Sequence, residues 1–344
     1  MTFGARARHQ HGVVLLIVLF FALLLTSAVA TFTRRSIVDA MVARNRDASG
    51  RAEALARGGV RLATAYLVQD KIAKASNPLP IETHLDLWAQ LGSIEIPVAE
   101  GTTLRINIED SGSLFNLNSV FDYNEGEFGA FQQTIPFLQD FFEKVIDEIV
   151  LPPGERVYDV TELSEALIDW VDSDTERLAG GYEDDYYQQQ DPPYRAQNGP
   201  IRSVDDLLLV EGFDRQLVAA IRPYVTVFPL AAARGVNPNT APPHVLSLLF
   251  FNDGVDHRLA KEDEVKQILK IRDEGGVLCD EGISHELCTP INSIVANEIF
   301  PPSGYSSSTF TITADAEVEA IKRSVVAVID RDQQPPLLLS WKIR

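Results

Sequence analysis

Apolar and polar positions follow different periods in different parts of the chain. Residues 13–30 carry no charge. As a helix these 18 positions span about 27 Å, close to the roughly 30 Å hydrocarbon core of a bilayer. Residues 34–68 contain no proline and are rich in Ala, Arg, Leu and Val, which are mostly good helix formers. Val42, Leu55, Leu62, Tyr66 and Leu67 give this stretch an apolar side, weakened by Gly50, Gly58 and Gly59. The pattern predicts an apolar helix running on into a long amphipathic one. Asn77-Pro78-Leu79-Pro80 stops it, because proline cannot continue a helix.

Further along, 103–108 (TLRINI) alternates and predicts a strand, with Glu109-Asp110-Ser111-Gly112 as its turn. Helical spacing returns at 135–150, through Phe137, Leu138, Phe141, Phe142, Val145, Ile146 and Ile149, and at 161–171 with Thr161 as its expected cap. A near capping box at Ser203-Val204-Asp205-Asp206 starts another helix, which Gly212 breaks and 216–225 resumes. Asn237-Pro238-Asn239-Thr240-Ala241-Pro242-Pro243 is expected to open a helix through Phe251, capped by Thr240. Residues 263–272 predict the last helix. Period-2 segments at 309–316, 324–329 and 337–343 predict three strands. One strand near 105 and three at the end, with helical sequence between, predict one antiparallel sheet interrupted by a large all-α insertion. The fold class is therefore α+β, with the sheet burying a face on the N-terminal helix.

Charge divides the chain sharply. The 30 bases and 49 acids give a net of −19. Residues 1–61 hold nine bases against three acids, a net of +6, which leaves 21 bases and 46 acids beyond them, a net of −25. A basic, apolar head on an acidic body predicts a membrane-attached protein with an exported body, and argues against general nucleic-acid binding, which needs Lys and Arg for phosphate. Three readings of the N-terminus compete. Ala28 and Ala30 suit an ordinary secretory signal cut before Thr31. An uncut anchor is the second. The third is a prepilin-type leader cut after Gly12, just before VVLLIVLFF, so that the apolar helix is kept.

Little in the sequence resembles a catalytic centre. No hydrolase elbow, P-loop, dinucleotide fingerprint, zincin or EF-hand pattern is complete. His84, His244, His257 and His285 are scattered without metal-ligand spacing. The acids are more telling: Asp169, Asp172, Asp174, Glu176, Glu183, Asp184 and Asp185 fall close together around Gly180 and Gly181. Hard oxygen ligands on a flexible loop suit Ca²⁺, and a solvated acidic loop is the alternative. Tyr182, Tyr186, Tyr187 and Tyr194 are expected to be partly buried, and burial beside repelling carboxylates calls for a cation. Asp280, Glu281 and Glu286 form a weaker second candidate. In an exported body, Cys279 and Cys288 predict a disulfide closing CDEGISHELC, worth about 2–3 kcal/mol. In a cytosolic one they would remain thiols. Residues 203–228 have helix–hairpin–helix character, but their acids outnumber Arg202, Arg215 and Arg222, which favours a structural role over DNA contact.

Taken in order, INIEDSGSLFNLNSV, LIDWVDSD, GGYEDDYY, PPYRAQNGPIRSVDDLLLVEGF and GVNPNTAPPHVLSLL, behind the leader HQHG/VVLLIVLFF, resemble the K subunit of type II secretion, a minor pseudopilin. The resemblance spans nearly the whole chain. It implies a prepilin-peptidase cut between Gly12 and Val13 with N-methylation of Val13. Most pilin-like subunits carry glutamate at the fifth mature position. Here that position is Ile17, as the K subunit's pattern implies. The resemblance also implies calcium in the inserted domain, with Asp172, Asp174, Glu183 and Asp184 as ligands. It implies partnership with the I and J minor pseudopilins, the major pseudopilin, prepilin peptidase and the inner-membrane secretion platform, and no nucleic acid.

The expected organisation is a leader at 1–12, a transmembrane helix at 13–30, a periplasmic stem at 31–76, a pseudopilin body at 77–116 and 308–344, and an inserted α-domain at 117–307. The expected protein is a non-enzymatic, single-pass inner-membrane component at the tip of a pseudopilus, needed for its assembly and length control and for export of folded proteins. An envelope DNA-binding or DNA-uptake protein and a secreted hydrolase with a cleaved signal are the rivals.

Overall fold

The computed structural model describes residues 10–75, 81–93, 95–124, 126–149, 158–252, 256–283, 285–295 and 298–344. Positions 1–9 of the expected leader and the proline stop at 77–80 lie outside them. A single helix, α1 (Gln10–Lys74), runs for 65 residues, about 97 Å. Residues 13–47 are exposed throughout, and the apolar part is long enough to cross a membrane.

The upper part of α1 packs on a five-stranded sheet. Its strands, in spatial as well as chain order, are β1 (Glu95–Ala99), β2 (Thr102–Asp110), β3 (Thr309–Val318), β4 (Ile321–Asp330) and β5 (Leu337–Ile343), every neighbouring pair antiparallel. The expected sheet therefore gains β1, an exposed edge strand whose EIPVA sequence lacks alternation. Ala48, Ala52, Ala56, Val60, Ala63 and Leu67 recur at helical spacing and are buried against Leu104, Ile106, Ile312, Ala314 and Val325. Small residues on this stripe bring the helix close. A Cβ on Gly59 would sit 3.0 Å from Leu104 Cδ1 and 3.1 Å from Ala314 Cβ.

The chain leaves the sheet after Asp110 and returns at Thr309. The register pairs Asp110 with Phe310, so the two crossings are adjacent. Between them lies a second core built on α2 (Thr134–Asp147) and α3 (Val160–Val171), with Phe115, Phe137, Phe141, Phe142 and Phe250 fully buried. Asp159, not Thr161, caps α3: its Oδ1 accepts from the amides of Thr161 and Glu162 at 2.9 and 3.2 Å. α4 (Arg215–Ile221) and α5 (Glu262–Asp273) complete the main helices. The helix expected from Pro243 to Phe251 is one turn, Pro243–Leu246. Phe250–Asn252 is instead the middle strand of a small sheet, paired with Ile299–Phe300 and His257–Leu259. Thr240 is no cap, since its hydroxyl donates to Asp110 Oδ2 at 2.6 Å. The insertion thus carries short strands besides its helices, including the hairpin Phe121–Asn124 with Glu127–Ala130.

Two polar hubs fix the insertion to the body. Buried Asp110 accepts from Gly112 N at 2.7 Å and Asn237 Nδ2 at 3.0 Å, besides Thr240. Buried Glu82 accepts from Lys74 Nζ at 2.6 Å, Trp88 Nε1 at 2.9 Å and Arg331 Nη2. Its backbone bonds to Tyr305 and Asn237 across the junction. Lys74 also meets Asp86 at 2.6 Å and Asp70 at 3.2 Å, and Arg331 meets Asp70 at 3.2 Å. Burial works against the Glu82 charge, but Arg331 and Lys74 outweigh it and hold the carboxyl below its ordinary range.

Candidate metal centre

α3 delivers the first carboxylate. Leu167, Ile168, Trp170 and Val171 are buried, and Asp169 points inward among them. Asp172 ends the helix in extended backbone. The chain then loops back through Gly180 (φ 88°) and Gly181 (φ 103°), left-handed conformations that glycine takes without strain. Thr175 O, accepting from Glu183 N at 3.3 Å, and the bridge between Glu176 and Tyr182 close the loop. Glu183 is thereby carried back onto α3.

The result is a buried group of three. One oxygen each from Asp169, Asp172 and Glu183 lie within 4.8 Å of one another. Asp169 has partial compensation: Leu178 N donates to Oδ1 at 3.0 Å, and Arg177 Nε lies 3.9 Å from Oδ2. Arg177 is committed mainly to Glu211, at 2.6 Å. Asp172 Oδ1 and Glu183 Oε1 are buried without a hydrogen-bond partner. Burial, then the charges of Asp174 and Asp169, pushes Asp172 up to about 7. Burial, then Asp172, Asp169 and Asp174, pushes Glu183 up to about 8. Burial also raises Asp169.

A divalent cation fits this donor set. Orphaned carboxylate oxygens at such spacing are the hard ligands that Ca²⁺ takes, and a cation removes both the repulsion and the unmet bonding. Of the four residues the sequence proposes, Asp172 and Glu183 belong to the group. Asp174 lies at its edge, where its Oδ1 accepts from Glu176 N at 2.7 Å. Asp184 is turned away: its Oδ1 accepts from Ala196 N at 3.1 Å, and Arg195 lies 3.6 Å from Oδ2. Asp169 is the member of the group that the sequence-based ligand set leaves out, although an acid inside the apolar run LIDWV was its signal.

The tyrosines divide as well. Tyr187 is buried against Trp170, ring centroids 5.2 Å apart, and Tyr194 is half-buried. Tyr182 is 67% exposed, contrary to expectation, because it sits at the outer turn of the loop. Asp280, Glu281 and Glu286 form no comparable group among the described residues. Cys279 and Cys288 are joined as a disulfide, Cα atoms 5.9 Å apart.

Elsewhere the candidate chemistry is taken up by structure. His84, His244 and His257 contact Asn239 O, Pro223 O and Asp140 Oδ2 at 3.1–3.2 Å. The hairpin-like segment is a short 3-10 helix, Val204–Leu209, with a capping box on Ser203, followed by α4. Its Arg222 pairs with Asp205.

Residues 113–230 match the family described as "Type II secretion system (T2SS), protein K". Type II secretion system protein K of Klebsiella pneumoniae is 30% identical over 70% of this chain and 69% of its own length. The protein of that name from Aeromonas hydrophila is 27% identical over 83% of each. A solved chain of the GspK–GspI–GspJ complex from enterotoxigenic Escherichia coli is similar in fold, with a TM-score of 0.59 at 16% identity, covering 88% of this chain and 99% of that one.

Proposed function

The chain belongs to the type II secretion system protein K family, the minor pseudopilins, and from that premise we propose that it occupies the tip of a pseudopilus and helps to start and limit it. The observation that carries this reading is the uninterrupted α1. Its 13–47 segment is bare, while the same helix seats the sheet from Ala48 upward. A helix so divided suits a rod shared with neighbouring subunits and an anchor shared with the bilayer. A cut before Thr31 would discard residues 13–30, the apolar portion of the segment that packs against nothing among the described residues.

In this reading prepilin peptidase cleaves between Gly12 and Val13, Val13 is N-methylated, and the helix spans the inner membrane once with the acidic body in the periplasm. Ile17 then stands where other pilin-like subunits have glutamate. A tip subunit has no preceding amine to neutralise, so a membrane carboxylate would be unpaired and costly. The partners are the I and J minor pseudopilins, since the fold is similar to a chain of the GspK–GspI–GspJ complex, together with the major pseudopilin and the inner-membrane platform. The protein is a structural component and not an enzyme. Asp169, Asp172 and Glu183, with Asp174 beside them, hold Ca²⁺, whose charge stabilises the loop that ends α3. The inserted domain, wider than the rod, blocks addition above it.

Mass spectrometry of the mature N-terminus tests the reading. A methylated Val13 supports it and Thr31 overturns it. Deleting 117–307 is expected to give fibres of unrestrained length, and unchanged fibres would remove the steric role.

A further inference from the structure

The inserted domain carries a groove that the three carboxylates do not use. Segments 230–234 and 298–302 meet at Gly235, whose N–H donates to Pro302 O at 2.9 Å. Before that joint no backbone hydrogen bond ties the two segments together among the described residues. A cavity of about 620 Å³ opens between them, within the roughly 300–1,000 Å³ of small-ligand sites. The hairpin Phe121–Asn124 with Glu127–Ala130 forms a third wall. It is braced from behind: Phe128 N donates to Ser173 Oγ at 2.8 Å, and Phe128 O accepts from Ser173 N at 3.0 Å.

Four aromatic rings line the groove in two pairs. Tyr123 and Phe128 lie 4.7 Å apart, Phe131 and Phe300 5.7 Å. Tyr123 is 53% exposed and Phe131 37%, so ring surface is open to a guest. Asp122, Arg234 and Glu298 share the walls. All three are exposed, and their charged ends make no hydrogen bond or ion pair among the described residues. These features exclude several guests. Pro301 and Pro302 have no N–H and Ala232 stands at φ 51°, so neither long wall has the unbroken edge that an added strand needs. A lipid tail would take water from three charges and return nothing. A polyanion would meet two carboxylates and the net −25 of residues 62–344. A sugar chain suits every wall. The C–H faces of its rings stack on aromatic rings, while hydroxyls and amides both donate to carboxylates and accept from a guanidinium.

We propose that this groove binds a neutral glycan strand of N-acetylated sugar rings, as in the cell-wall polymer around a periplasmic filament. An acetamido group offers a donor to Asp122 or Glu298 and an acceptor to Arg234, which uses both signs of charge on the walls. The choice of this polymer rests on the periplasmic placement proposed above. The groove moors the filament's tip to the wall beside it.

The test titrates the full-length chain in lipid nanodiscs with a tetramer of N-acetylglucosamine and, in parallel, with cellotetraose, read by calorimetry. Saturable binding of the first is expected, about tenfold tighter than of the second, which lacks the acetamido partners. Tyr123→Ala is expected to weaken binding about tenfold with the thermal midpoint unchanged, and Tyr123→Trp to retain it. Arg234→Ala, on a different wall, is expected to weaken it comparably. No saturable binding of the acetylated tetramer, equal affinity for cellotetraose, or full binding by either alanine variant overturns the proposal. In cells, a photo-crosslinking phenylalanine analogue at Phe131 is expected to attach the chain to cell-wall sacculi, and capture of a protein instead overturns it. A mature N-terminus at Thr31 would fell the tip reading and leave sugar binding standing, whereas a methylated Val13 without sugar binding would fell the groove alone.

Discussion

Among the described residues, two trios of carboxylates are drawn out of water, and they are treated differently. Asp70, Glu82 and Asp86 cluster where the stem helix ends, and Lys74 and Arg331 sit among them. Asp169, Asp172 and Glu183 cluster at the end of α3 with only Arg177 nearby, 3.9 Å from one of them. The first trio is largely compensated by the chain itself: Glu82 is held below its ordinary range, although burial still pushes Asp86 up. The second is not, so Asp172 and Glu183 rise to about 7 and 8. Burying like charges without internal compensation fits a site that takes its counter-charge from solution, whereas internal compensation fits a permanent joint.

The sharpest way to break the contrast is to remove the built-in cation. Arg331→Met leaves Glu82 and Asp70 short of a partner and should cost about 3–5 kcal/mol, read by chemical denaturation. Next in size is removal of the cation proposed for the second trio. Passing from Ca²⁺ at about 100 times its Kd to excess chelator should lower stability by about 2.7 kcal/mol, and no shift in thermal midpoint would count against the metal. Acidity should then separate Glu82 from the second trio by sign. With chelator present, protonated Asp172 and Glu183 favour the fold at low pH. Their contribution is lost as pH rises from about 4, the unfolded value, through about 7 and 8. Glu82 contributes above its unfolded value and loses that contribution as pH falls through its lowered folded one. Thermal scans of Asp172→Asn/Glu183→Gln in chelator should show the first trend gone between pH 5 and pH 9. Smallest is Asp184→Asn, which should change stability by within about 0.5 kcal/mol and leave the calcium response intact, since Asp184 faces Arg195.

The sequence foreshadows the two trios unequally. Asp172 and Glu183 stand out because acids crowd a short glycine-containing stretch. Asp169 escapes the proposed ligand set because its one local hint, an acid inside the apolar run LIDWV, does not say which other carboxylates it meets. The permanent joint is illegible altogether: Arg331 lies 249 residues from Glu82, and only the closed sheet brings them together. The same division runs through the fold. The strands of the C-terminal hairpins announce themselves by alternation. Phe250–Asn252 does not, because its strand character depends on Phe300 and Leu259 from other parts of the chain, and the prolines before it advertise a helix.

Asp110 and Phe310 are register partners on neighbouring strands, so the chain departs and comes home about 5 Å apart. The insertion therefore meets the sheet through closely spaced ends, as a grafted domain would. A foreign domain with ends as close could span the same gap, provided it also replaced the bonds that Asn237 and Thr240 give buried Asp110, which would otherwise be left unmet.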